Sequence, residues 1–169
     1  AALMAYHSGL ALHDSLGSLP YLVSVPGRMQ TIAGHPEGAR IVVDYAHTPD
    51  ALESALAALR PEAHGRLAVL FGCGGERDAG KRPQMGEIAA RLADLVYVTD
   101  DNPRSEDPAK IRAAIMTRCP DAQEIANRDA AIQTALSALA AGDVLLIAGK
   151  GHEDVQLVGS ETLPFSDAS

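Results

Sequence analysis

Four short, nearly continuous apolar runs rich in β-branched residues do most to limit what this chain can fold into: Arg40–Tyr45, Arg66–Phe71, Leu95–Thr99 and Val144–Ala148. Such runs suit strands buried on both faces, because a half-exposed strand would alternate apolar with polar side chains. Helical patterns separate them at Pro49–Leu59, Arg82–Leu92, Pro108–Arg118 and Asp129–Ala140. Three of these carry Pro near their start, where its missing N–H costs no hydrogen bond. Strands alternating with helices demand right-handed crossovers, so the expected fold is a three-layer α/β/α domain with a mixed, mostly parallel sheet. The Ala and Leu stripe of Asp129–Ala140 is expected to be core. Val155–Val158 and Thr162–Phe165 flank Gly159-Ser160 and predict a short terminal β-hairpin. At the other end, Leu3, Met4, Leu10 and Leu12 lie at helical spacing up to about Leu16. Gly17, Pro20 and Pro26 then punctuate a connector.

Charge and composition exclude several functions. Among the 169 residues, 14 Lys and Arg face 22 Asp and Glu, a net charge of −8 that disfavours a nucleic-acid partner. Apolar residues at 47% rule out disorder for the bulk of the chain, and aromatic residues at only 4% disfavour a base-stacking surface. The two cysteines, Cys73 and Cys119, make neither a disulfide framework nor a multi-cysteine metal site. No apolar stretch reaches the roughly 18–20 residues needed to span a bilayer, so no membrane partner is expected and a cytoplasmic setting is the default. The chain opens on Ala1 without a Met or a signal-like segment, as a piece of a longer protein would.

In a parallel sheet, ligands gather where strands end and loops lead into helix N-termini. The unusual residues fall there: Asp44-Tyr45-Ala46-His47 after the first run, Gly72-Cys73-Gly74-Gly75-Glu76-Arg77 after the second, Asp101-Asn102-Pro103-Arg104 after the third and Gly149-Lys150-Gly151-His152-Glu153 after the fourth. Gly75–Lys81 matches the start of a phosphate loop, but Arg82 stands where Ser or Thr should hold magnesium, so a nucleotide loop is rejected. Arg77, Lys81 and Arg82 still offer charge to an anion, or else form a solvated surface turn. Asn102 can donate and accept, Pro103 fixes its own φ, and Arg104 presents a fork for a carboxylate. That combination suits a zwitterion or an ordinary turn. Glu153 could hold an ammonium, or sit in a loop entering the hairpin. Asp44 could accept a ribose hydroxyl while His47 bonds a phosphate or ring, unless the pair forms a local loop network. Cys73 reads as a packed thiol rather than a nucleophile.

Taken together, the segments VPGRMQ (Val25–Gln30), VVDYAHTPDALE (Val42–Glu53), FGCGGERDAGKRPQMG (Phe71–Gly86), VTDDNPRSEDP (Val98–Pro108) and AGKGHEDVQ (Ala148–Gln156) resemble the C-terminal domain of the Mur ligases, in the branch that adds diaminopimelate. One departure is Gln30, where the family usually carries Glu. The resemblance implies a Rossmann-like sheet over residues 25–169, with the family's final helix missing. Residues 1–24 would be the last helix and linker of a truncated central ATPase domain. It further implies ATP-dependent peptide-bond formation in peptidoglycan synthesis: an acyl phosphate on UDP-MurNAc-L-Ala-D-Glu is attacked by the amine of meso-diaminopimelate. By the same resemblance, Arg77, Asn102, Pro103, Arg104, Gly149 and Glu153 would bind meso-diaminopimelate. Arg28 would be the catalytic arginine reaching the ATP phosphates, and Asp44 with His47 would contact the nucleotide. ATP and magnesium would be held mainly by the missing central domain, with no metal ligand in this chain, and the piece alone would be inactive. The competing reading is a non-catalytic α/β module whose glycine loops hold an anion or nucleotide. An autonomous phosphate-loop kinase is opposed by Arg82.

Overall fold

The computed structural model describes residues 6–9, 11–17 and 25–168. Within the first part, α1 spans Leu12–Gly17; Leu3, Met4 and Leu10 of the expected leading helix lie outside the described residues. The rest folds as β1 (Gln30–Ile32), β2 (Arg40–Asp44), α2 (Pro49–Leu59), β3 (Leu67–Phe71), α3 (Lys81–Leu92), β4 (Leu95–Val98), α4 (Pro108–Met116), β5 (Gln123–Glu124), α5 (Arg128–Ser137), β6 (Val144–Ala148) and the hairpin β7 (Val155–Val158) and β8 (Glu161–Pro164). One sheet runs in the order β1-β2-β6-β3-β4-β5, with β7-β8 apart from it. Among the described residues of the six-stranded sheet only β1 runs antiparallel to its neighbour, and β7 and β8 pair antiparallel with each other.

Alternation along the buried strands sends side chains to both faces. On one face Val42, Val69, Phe71, Val98 and Leu146 pack against Leu52 and Leu56 of α2, Met85 of α3, and Ile111 and Ile115 of α4. On the other, Val43, Leu70, Tyr97, Leu145 and Ile147 meet Ala131, Ile132, Ala135 and Leu139 in and beyond α5. The three layers are therefore helices, sheet and helix. Helix starts follow local chemistry: Thr48, Asp107 and Asn127 cap α2, α4 and α5 through their side chains, and Pro49 and Pro108 take the first turn.

The sequence signals differ from the structure mainly at edges. Strands β1 and β5 are unannounced, because both are short and β5 is polar and exposed, held by its ladder to β4 rather than by burial. The hairpin's second strand begins at Glu161 and ends at Pro164, one residue earlier than predicted. Helix α5 ends at Ser137 rather than Ala140, and α4 at Met116 rather than Arg118.

The early end of α5 and the start of β3 after Arg66 share one cause. The Asp143 carboxylate accepts from the backbone N–H of Arg66 (2.7 Å) and of Ala140 (3.0 Å), and from Arg66 Nη2 (2.6 Å). Its side chain is 4% exposed. Burial alone would raise this carboxyl, but the Arg66 side chain and the two backbone donors hold it down at about 2. A carboxylate depressed by folding stabilises fully above its ordinary value of 3.8 and loses that contribution as the pH falls through about 2. Asp143→Asn should therefore lower the denaturant midpoint near neutral pH, with the gap to the parent narrowing steadily between pH 4 and 2. A constant gap across that window would count against the assignment.

Candidate functional site

The carboxyl ends of β2, β3, β4 and β6 lie on one edge of the sheet, and their loops enclose a cavity of about 600 Å³. His47 from the first loop, Arg77 from the second, Asn102 and Arg104 from the third and Gly149 and Glu153 from the fourth all line it. Pro103, Asp44 and Arg28 do not. Pro103 is buried, and Asp44 and Arg28 sit at the cavity's margin with Tyr45.

Glycines let these loops interlock. A Cβ at Gly75 would stand 1.9 Å from the Pro103 carbonyl oxygen, so only hydrogen fits between the second loop and the third. Gly75→Ala should push the two loops apart at a cost of about 1–3 kcal/mol, read as a lower unfolding midpoint. Gly27 plays the same part elsewhere: its φ is +67° and a Cβ would meet the His152 nitrogen at 2.1 Å. The turn carrying Arg28 is thereby locked to the loop carrying Glu153. Gln30 supports this turn by accepting from the Gly27 N–H (2.7 Å), a task that needs only a side-chain oxygen and would be met by Glu as well.

Arg104 is held in an uncommon conformation, with φ +53°. The hairpin imposes it: the Arg104 N–H donates to Leu157 O (3.0 Å), and the Gly159 N–H donates to Arg104 O (2.7 Å). The guanidinium lies half-buried, and its Nη1 donates to the carbonyls of Gly75 (2.9 Å) and Asn102 (3.3 Å). Arg77 is exposed at the rim, with Nη1 donating to Glu76 O. Lys81 adds a third cation there, donating to His47 O (2.7 Å).

The floor is acidic and was only partly legible from sequence. Asn102 Nδ2 donates to Glu153 Oε2 (2.8 Å). Lys150, with no exposed side-chain surface, donates to Asn102 Oδ1 (3.0 Å) and Glu153 Oε2 (3.2 Å), and lies 3.9 Å from Asp101 Oδ1. The Gly-Lys-Gly-His-Glu string marked Lys150 as a nearby cation but gave no sign of its burial beneath the site. Asp101, which opens the third loop, also lines the cavity.

At the margin, His47 Nδ1 donates to Tyr45 O (2.8 Å), so in the neutral ring Nε2 is an acceptor, suited to a hydroxyl or amino donor. Asp44 Oδ2 accepts from the Met29 N–H (2.7 Å). The Arg28 guanidinium lies 5.0 Å from the centre of the Tyr45 ring, a cation–π contact that holds it exposed beside the cavity. Cys73 is buried beside Met85, and burial pushes its thiol up to about 12, which makes it a packing group and not a nucleophile. Arg82, 5% exposed, pairs with Glu106 (2.8 Å) and is committed to holding the second loop to the third. Among the described residues no group of three or more His, Cys, Asp or Glu could hold a metal ion, and no helix is long and apolar enough to cross a membrane.

The family pattern described as Mur ligase, glutamate ligase domain, matches residues 27–151. The UDP-N-acetylmuramoyl-L-alanyl-D-glutamate–2,6-diaminopimelate ligase of Mesorhizobium japonicum is 56% identical over 97% of this chain, and that of Chelativorans is 54% identical over 99%. The chain spans only 34% and 35% of their lengths. A solved structure of a ligase with the same name superposes with a TM-score of 0.78 at 40% identity, covering 99% of this chain and 35% of that one. A bifunctional folylpolyglutamate synthase/dihydrofolate synthase from Yersinia pestis shares the fold alone, with a TM-score of 0.65 at 20% identity over 89% of this chain. With its four strand-end loops converging on one charged cavity and this match along most of its length, the chain belongs to the Mur ligase family, as the domain named for glutamate ligases.

Proposed function

We propose that this chain is the amino-acid-receiving domain of an ATP-dependent ligase that joins meso-diaminopimelate to UDP-MurNAc-L-Ala-D-Glu in cytoplasmic peptidoglycan synthesis. The observation that carries it is the sorting of charge in one cavity: guanidinium groups of Arg77 and Arg104 at the rim, and the Glu153 carboxylate at the floor. A substrate with carboxylates and an ammonium at separate points matches that pattern. Asn102 and Gly149 complete the wall, and Pro103 fixes the approach to Arg104.

In this reading ATP activates the D-Glu carboxylate as an acyl phosphate. The substrate amine attacks its carbonyl carbon, the C–O bond to phosphate breaks, and the nitrogen loses a proton as the amide forms. This domain orients the amine and excludes water, which converts an encounter of two solutes into a reaction within one complex. ATP with magnesium is held mainly by other parts of the longer protein. Arg82 occupies the place of a magnesium-binding hydroxyl and is already paired with Glu106. This chain adds Arg28 for phosphate charge, the acceptor Nε2 of His47, and Asp44 at the nucleotide margin.

A thermal-shift panel on the longer protein tests the reading, since a specific ligand raises the unfolding temperature by mass action. Meso-diaminopimelate should give the large shift, L-lysine a small one and sulfate none beyond its general salt effect. Equal shifts with sulfate and meso-diaminopimelate would favour a plain anion-binding module.

A further inference from the structure

The cavity floor contains more machinery than the ligand-facing residues alone. A fully buried ammonium is costly unless paired, and Lys150 is surrounded by two carboxylates, Asp101 and Glu153, and one amide oxygen. One cation against two anions leaves the floor one negative charge in excess, and a ligand ammonium would balance it. The amide of Asn102 has only one orientation that satisfies its neighbours. Its Oδ1 accepts from both Lys150 Nζ and the Leu157 N–H (2.9 Å), two groups that can only donate. Its Nδ2 is thereby turned toward Glu153 Oε2, which also receives Lys150. Both described bonds to Glu153 land on the same oxygen, and the other, Oε1, remains for a ligand.

We infer that Lys150 is a positioning residue for amine recognition: it sets the direction of the Asn102 amide and turns Glu153 so that one carboxylate oxygen meets the substrate ammonium. It acts through Asn102 and Glu153 and does not touch the substrate. The inference rests on the substrate reading above. Without the Lys150 charge, Asn102 loses one of the two donors that fix its amide, and Glu153 and Asp101 lose the cation that both approach. The ammonium site loses its shape while the nucleotide margin at Asp44 and His47, on the neighbouring strand end, keeps its own contacts.

The test is a double-mutant cycle in the full-length ligase, with steady-state kinetics on meso-diaminopimelate and ATP. Lys150→Met should raise KM for meso-diaminopimelate at least about tenfold, the loss expected for charge-assisted hydrogen bonds, with KM for ATP within about twofold. In a Glu153→Gln background the same replacement should cost about threefold or less, because the group through which Lys150 acts has already lost its charge. Should the Met variant unfold below the assay temperature, Lys150→Gln, which keeps a donor at the floor, goes through the same cycle. Equal losses with and without Glu153, or a rise in both KM values together, would reduce Lys150 to a structural cation and overturn the inference. A parent enzyme that does not use meso-diaminopimelate would overturn the substrate reading itself, whereas turnover by the parent with an unmoved KM in the variant overturns only the role of Lys150.

Discussion

Asp167→Ala should destabilise the domain by about 5 kcal/mol and Arg128→Ala by about 3 kcal/mol, the range for breaking a buried ion pair from one side. Both side chains are fully buried. Arg128 meets the carboxylate with two parallel bonds, Nε to Oδ1 and Nη2 to Oδ2, each 2.7 Å, and Nη2 also donates to Ala148 O (3.0 Å). Burial works against the Arg128 charge, and Asp167 more than restores it, so the proton is held more firmly than in a free arginine. The asymmetry follows from where each partner sits. Arg128 opens α5, packed on the sheet, and cannot leave if its counter-ion is removed. Asp167 lies in an irregular stretch after β8 that can yield and carry its charge to water. Urea titration of both single variants and of Arg128→Met/Asp167→Leu checks the argument. The double variant should recover most of the loss, since an apolar pair needs no counter-ion. Single variants within about 1 kcal/mol of the parent would mean that water reaches the pair.

Arg104→Ala in the full-length ligase should lower kcat/KM for meso-diaminopimelate by about 2–4 kcal/mol and leave KM for ATP nearly unchanged. Diaminopimelate differs from lysine by a carboxylate at its far end, so choosing it requires a cation that lysine would leave unanswered. The described side-chain hydrogen bonds of Arg104 use Nη1, and the half-buried fork lines the cavity. A polar site of this kind rejects a ligand lacking the partner group by about 10³ or more. The variant is not expected to become a lysine enzyme, because deleting an unsatisfied charge creates no new contact. Parental kcat/KM would make Arg104 a turn residue and remove the main support for the substrate assignment.

The parallel core was legible because β2, β3, β4 and β6 are buried on both faces, and such strands must be apolar almost throughout. Edge strands carry no such obligation, and Gln123-Glu124 offers no apolar run that would mark a strand. The site was legible as a set of strand-end loops because chemistry concentrates where Gly, Asn and Pro interrupt an apolar pattern. What sequence could not supply was depth. Lys150 and Arg128 are charged residues in a chain full of charge, and only the packing of distant segments shows that each is sealed from water. Asp167 lies 39 residues from its partner Arg128, beyond the reach of any local rule.

The bridge between Arg104 and the hairpin separates the residue that would recognise the substrate from the segment that aims it. Val155–Val158 shares no chemistry with the amino acid, yet its ladder decides where the guanidinium fork stands. Substitutions in β7 or β8 would therefore move the guanidinium fork while every residue lining the cavity stays the same.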